Sequence, residues 1–126
     1  MRSLRKRLLT GFAVVVMAAV AGCANEPSNR GNIDPSVCDT SFLNYDNFAG
    51  PFVTNWCRGC HSSSAPADMR QKAPADVNFD DAAAVRKWAA RIEARTTGDN
   101  VSMPPAGGPS EMERAALAEW IACGTR

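Results

Sequence analysis

Apolar residues along this chain fall into separate groups, each with its own spacing. The first is a nearly unbroken run from Leu8 to Ala21, interrupted only by Thr10 and Gly11 and preceded by Arg2, Arg5, Lys6 and Arg7. At about 14 residues it is short for a membrane-spanning helix, which needs roughly 20, and a basic start followed by such a run is the pattern of an export signal. From Ala24 to about Val37 apolar residues almost vanish among Asn25, Pro27, Ser28, Asn29, Gly31, Asn32 and Pro35. That composition cannot bury enough surface to order itself and predicts a flexible tether, spanning roughly 20 Å on average.

The remaining groups have helical spacing. Between Asp46 and Cys57, Phe48, Phe52 and Trp56 recur every fourth residue with Val53 beside them, so one aromatic face is expected. Pro51 is awkward inside such a helix, which must either begin about a turn before it or kink there. From Asp80 or Asp81 to Arg95, the positions Val85, Trp88, Ala89 and Ile92 form an amphipathic stripe. The two aspartates favour its start, Arg91 and Arg95 its end, and Gly98 its termination. The last helix is bounded by Ser110 and Glu113, a capping box, and by Gly124, with Leu117, Trp120 and Ile121 facing inward and Ala116 and Ala118 allowing close approach. No stretch alternates at period two, so the expected fold class is all-α with three main helices in one domain.

The first of these helices runs into Cys57-Arg58-Gly59-Cys60-His61. C-x-x-C-H is the attachment signature for c-type haem. Two thiols so spaced can each add across one vinyl group of the same porphyrin, and the following imidazole falls under the ring centre as axial ligand to iron. Cys57 and Cys60 are therefore the expected thioether anchors and His61 the proximal ligand. Two other readings compete. A thioredoxin-like dithiol would need flanking βαβ pattern, and a zinc site would need a second ligand pair, whereas this chain has one histidine and its other cysteines stand far apart.

Of five methionines, Met1 and Met17 lie in the leader, Met69 follows His61 by only eight residues, and Met112 sits in the first turn of the last helix. Met103, in Ser102-Met103-Pro104-Pro105, lies on a loop that two prolines stiffen, and is the expected sixth ligand; a core methionine filling a gap is the alternative. His/Met ligation raises the reduction potential and fills both axial positions, which favours outer-sphere electron transfer.

The end of the leader, Val20-Ala21-Gly22-Cys23, resembles the lipobox of bacterial lipoproteins. That resemblance implies cleavage after residue 22 and lipidation of Cys23, against ordinary cleavage near Ala21 that would leave an odd thiol. Ala24 is not the aspartate that marks inner-membrane retention in enterobacterial lipoproteins, which points to the outer membrane in a Gram-negative host. The expected organisation is a signal at 1–22, a lipidated cysteine and tether at 23–37, and a folded domain at 38–126.

The aromatic helix ending in the haem motif, the Met103-Pro104-Pro105 loop and the terminal helix with Ala118-Glu119-Trp120-Ile121 together resemble the small single-haem class I cytochrome c family over roughly Asp39 to Gly124. The resemblance implies a small bundle around one covalent haem, with first and last helices packed through residues such as Phe52 and Trp120. It also implies a proline whose carbonyl accepts from the axial imidazole, Pro74 or else Pro66. It permits Arg70, Lys72 and Arg95 to meet propionates and Tyr45 or Trp88 to hydrogen-bond one. If those helices cross, Cys38 and Cys123 meet; a Cys38–Cys123 disulfide would complete the five cysteines, and two buried free thiols are the alternative.

Without the leader's four basic residues, ten remain against thirteen acidic ones, a net charge near −3. No basic run marks a nucleic-acid partner, and Asp80 and Asp81 fit a helix start better than acid–base chemistry. These features lead to the expectation of a lipid-anchored, extracytoplasmic one-electron carrier rather than an enzyme. Its partners would be transient redox proteins and the membrane, with no small-molecule substrate. A haem-containing redox subunit, a gas- or peroxide-reactive protein with displaceable Met103, and a haem-free lipoprotein are the alternatives.

Overall fold

A computed structural model describes residues 33–126, so the leader, Cys23 and the tether up to Asn32 lie outside the described residues. The described residues are helical and contain no strand, an all-α fold. Four helices are formed: α1 (Val37–Thr40), α2 (Gly50–Trp56), α3 (Ala82–Thr96) and α4 (Glu111–Ala122), with a π-wound turn, Tyr45–Ala49, leading into α2. Local hydrogen bonding is already present ahead of Cys38, where the Asp34 carboxylate accepts from the Ser36 amide and its carbonyl from Val37.

The helix expected between Asp46 and Cys57 is present in two windings. Asn44 and Asn47 cap its start reciprocally, each side chain accepting from the other's backbone amide at 2.9 and 2.8 Å. The Gly50 amide bonds the Tyr45 carbonyl, a five-residue step, and Pro51 then opens α2 where a missing amide costs nothing. Glycine at position 50 lets the Tyr45 ring fold close, since a Cβ there would stand 3.2 Å from Tyr45 Cε1. The wider winding is thus how the chain accommodates a proline inside an otherwise continuous aromatic helix.

Helices α3 and α4 follow their expected spans closely. Asp81 caps α3 by accepting from the Ala84 amide, while Asp80 turns elsewhere. Ser110 and Glu113 form the capping box of α4, and Gly124, at φ +87°, ends it. There the Thr125 amide reaches the Trp120 carbonyl and the Gly124 amide that of Ile121, which satisfies the last carbonyls.

α3 packs along α4, and α1 against the other end of α4. Phe52, Val53, Phe79, Val85, Ile92, Leu117 and Trp120 make one buried cluster, so Phe52 and Trp120 share the core. Each such side chain contributes about 1.5–3 kcal/mol by burial. The chain ends are tied together beside it. Arg126 accepts at its carbonyl from the Tyr45 amide (2.7 Å) and Trp120 Nε1 (2.9 Å), and its guanidinium donates to the Ser41 carbonyl. Cys38 and Cys123 form a disulfide between α1 and the end of α4, closing a span of 85 residues.

Loop closure over that span is worth about 4–5 kcal/mol in the chain-entropy model, as much as two core side chains. Cys38→Ala/Cys123→Ala is therefore expected to lose up to about 4–5 kcal/mol of unfolding free energy, read from urea melts without reductant. A double variant as stable as the parent would contradict the bond's stabilising role.

Candidate functional site

The turn that follows α2 assembles the site. The Cys57 and Arg58 amides still bond the Val53 carbonyl, and the Cys57 carbonyl then accepts from both Cys60 (3.1 Å) and His61 (2.9 Å). This continued winding brings Cys57, Cys60 and His61 to the wall of one cavity of about 300 Å³, at the lower end of cofactor-site volumes (~300–1,000 Å³). Met103, Pro104 and Pro105 line the same cavity from the loop between α3 and α4, and Trp88, Ile92 and Thr96 line it from α3. The four residues singled out for the haem site, with Met103 lying 42 positions beyond His61 and 46 beyond Cys57, thus converge on one space.

His61 is held in a defined state. Its Nδ1 lies 3.0 Å from the Val77 carbonyl, and since a carbonyl only accepts, Nδ1 is the donor, so in the neutral ring the lone pair is on Nε2. The ring stacks on Phe79, centroids 4.7 Å apart, and the Phe79 amide donates to the His61 carbonyl. The expected partner of the imidazole was Pro74, with Pro66 as alternative, and here the structure corrects the sequence reading. The Pro74 carbonyl is already occupied by the Val77 amide (3.1 Å) and Arg70 Nη2 (2.6 Å). Pro66 lies away from this cavity, beside a shallow groove. Pro74 still lines the cavity, and its turn delivers Val77 to the histidine.

Arg70 is the organiser of this loop. It is only 8% exposed, and its guanidinium donates to the Ser62 carbonyl, Asn78 Oδ1 (2.9 Å) and the Pro74 carbonyl, all neutral oxygens. Its Nε is buried without a hydrogen-bond partner, and the residue lines the cavity. Lys72, Arg91 and Arg95 line it as well, whereas no carboxylate does, so the charge around the cavity opposes the acidic net charge expected of the processed chain. Of the two residues that the resemblance permits to meet a propionate by hydrogen bonding, Trp88 lines the cavity, whereas Tyr45 lies under Arg86 at 5.7 Å.

The methionines separate by position. Met69 is 60% and Met112 82% exposed, while Met103 is half-buried on the cavity wall. Both backbone groups of Met103 are tied, its amide to the Arg95 carbonyl (2.9 Å) and its carbonyl to Arg114 Nη1 (3.0 Å).

Cys57 and Cys60 are free thiols here. Burial pushes the Cys57 thiol up to about 12, the opposite of the depressed value of a reactive redox dithiol. Among the described residues no three His, Cys, Asp or Glu side chains are grouped so as to hold a metal ion.

Phe79, Val77 and Arg91 were not singled out from the sequence as site residues. Val77 and Phe79 stand out only as an apolar pair two apart in a polar stretch, and Arg91 was assigned to helix charge alone. Trp56 ties the far wall together: its Nε1 donates to Glu113 Oε1 (3.2 Å), and Gly108, at φ +125°, lies flat against its ring.

A Cβ at Gly108 would stand 2.6 Å from Trp56 Cε3. Gly108→Ala is expected to cost about 1–3 kcal/mol in a denaturant melt, as overpacking does; an unchanged melt would contradict the close packing. Asp80 gives a pH test. Its carboxylate accepts from Ser62 Oγ (2.6 Å) and the Ser63 amide (2.9 Å), with Arg58 3.8 Å away, and its pKa falls to about 2. Because the folded value lies below the ordinary 3.8, its contribution is present above that pH and is lost as pH falls toward 2. Thermal melts of Asp80→Asn should therefore change less between pH 4 and pH 2 than those of the parent, and equal slopes would contradict this.

In comparisons with known proteins, no family model, no curated protein and no solved structure matches this chain. What the site does is therefore read from its own residues and geometry.

Proposed function

We propose that the cavity holds one covalent c-type haem and that the protein is an extracytoplasmic one-electron carrier, not an enzyme, with a fold resembling that of the small class I cytochromes c. One observation carries this reading: Cys57, Cys60, His61 and Met103 line a single cavity although the last is separated from the others by α3. The residues present fit such a group. Nε2 of His61 retains its lone pair, Met103 offers a thioether, and the partnerless Nε of Arg70 together with Lys72, Arg91 and Arg95 suits two carboxylates. When bound, haem iron supplies reversible one-electron chemistry.

The chain's own residues would do the rest. Cys57 and Cys60 would anchor the group; His61, its basicity raised by the Val77 carbonyl, and Met103 would hold its iron; and the thioether would favour the ferrous state. Apolar Phe79, Ile92, Trp56 and the two prolines exclude water, which disfavours the oxidised, more charged form. A peroxide- or gas-reactive reading needs a displaceable ligand and a distal acid or base. The cavity wall carries neither a carboxylate nor a second imidazole, and Met103 is tied at both backbone groups, so the carrier reading is preferred.

Localisation belongs to the same proposal. Cys23 as a lipidated first residue and the polar tether after it would hold the domain on the outer side of a membrane, and transient redox proteins would meet it there. Among the described residues no helix is long and apolar enough to cross a membrane.

Met103→Ala in protein matured by a haem-attaching host is the test. The oxidised parent should show a sulfur-to-iron charge-transfer band, and the variant should lose it and drop in midpoint potential by on the order of 0.2 V within the ~0.8 V span that axial ligands command. An unchanged spectrum and midpoint would overturn Met103 as ligand.

A further inference from the structure

We infer that Arg114 is a positioning residue that latches the Met103 loop closed, a role that rests on Met103 being the axial ligand proposed above. The loop from Thr97 to Pro109 joins α3 to α4 without regular structure, so its carbonyls have no ladder to satisfy them. Arg114, one turn into α4, reaches two of them and also the last carbonyl of α3. Its Nη1 donates to the Thr96 carbonyl at the end of α3 (2.7 Å) and to the Met103 carbonyl at mid-loop (3.0 Å), and its Nε donates to the Pro109 carbonyl where the loop rejoins α4 (3.2 Å).

The geometry needs a guanidinium. A planar fork can donate in several fixed directions at once and keeps its charge at any working pH, whereas an ammonium acts from one point. The Met103 amide is already held by the Arg95 carbonyl. Swinging the Met103 backbone away from the cavity therefore requires breaking both its bond to the Arg95 carbonyl and its bond to Arg114, of which only the second is made by a side chain.

The consequence is quantitative. An external ligand that replaces the methionine binds only the open loop, so its apparent dissociation constant is the intrinsic one divided by the open fraction. Loss of one charged hydrogen bond multiplies that fraction by about ten to a hundred. Arg114 thus sets how firmly the sixth position is closed, while leaving the sulfur itself untouched.

The probe is imidazole, titrated into the oxidised, haem-loaded protein while the sulfur-to-iron band is followed. For Arg114→Ala, half-displacement is expected at about ten- to hundred-fold lower imidazole than for the parent. Arg114→Lys keeps the charge but not the fork and should fall between the two, which covers the case of an alanine variant that does not fold. Val85→Ala, a core change outside the cavity, reports what lost stability alone does.

Equal imidazole affinity in the parent and both Arg114 variants overturns the latch, as does an equally large shift in Val85→Ala. A band present in the parent, absent in Met103→Ala and unmoved in the Arg114 variants defeats the latch alone. A parent with no such band defeats the ligand assignment and the latch together.

Discussion

Backbone carbonyls that belong to no helix must still find donors, and around this cavity two arginines provide them. Arg70 gathers the carbonyls of Ser62 and Pro74 in the segment after His61, and Arg114 gathers those of Thr96, Met103 and Pro109 in the segment that carries the methionine. Each loop would otherwise expose unpaired polar groups beside an apolar space. The two guanidiniums convert irregular connections into fixed walls, and the histidine and the methionine inherit their positions from them. The cost is a buried cation with an unpartnered Nε at Arg70, which an anionic occupant would offset.

Charge follows the same logic. The processed chain would be acidic, yet Arg70, Lys72, Arg91 and Arg95 all line one cavity, while several of the acidic residues serve helix starts and turns instead. Asp81 caps α3, Glu113 caps α4 and Asp80 closes the turn after His61. Net charge averages over these separate tasks and so misstates the local field. A cationic wall around a mainly apolar cavity suits an amphipathic plate with acidic edges better than it suits a neutral ligand.

Helices were legible in the sequence because their determinants are local. The capping box at Ser110, the stop at Gly124 and the stripe Val85, Trp88, Ala89, Ile92 each depend on neighbours a few residues away, and all three are in place. The thiol pair, the histidine and the Pro-flanked methionine were legible as chemistry. The loops were not. That Val77 rather than Pro74 faces His61 depends on how the turn from Pro74 to Val77 is folded around Arg70, whose Nη2 donates to both carbonyls (2.6 Å to Pro74, 3.5 Å to Val77), an arrangement with no periodic signature. The π-wound entry to α2 lay between the two, since Pro51 announced an irregularity without specifying its form. The pairing of Cys38 with Cys123 was reachable by counting, because setting aside Cys57, Cys60 and the lipobox-like Cys23 leaves only these two of the five cysteines.

The central claim is that a porphyrin is bonded to Cys57 and Cys60, and intact mass after acid–acetone extraction tests it most directly. In chain exported by a host that attaches haem, the account predicts a polypeptide heavier by one haem, red after extraction, and returned to its unmodified mass by Cys57→Ala/Cys60→Ala. A colourless chain at the mass of the bare polypeptide, with Cys57 and Cys60 alkylatable or oxidised to each other, would contradict it.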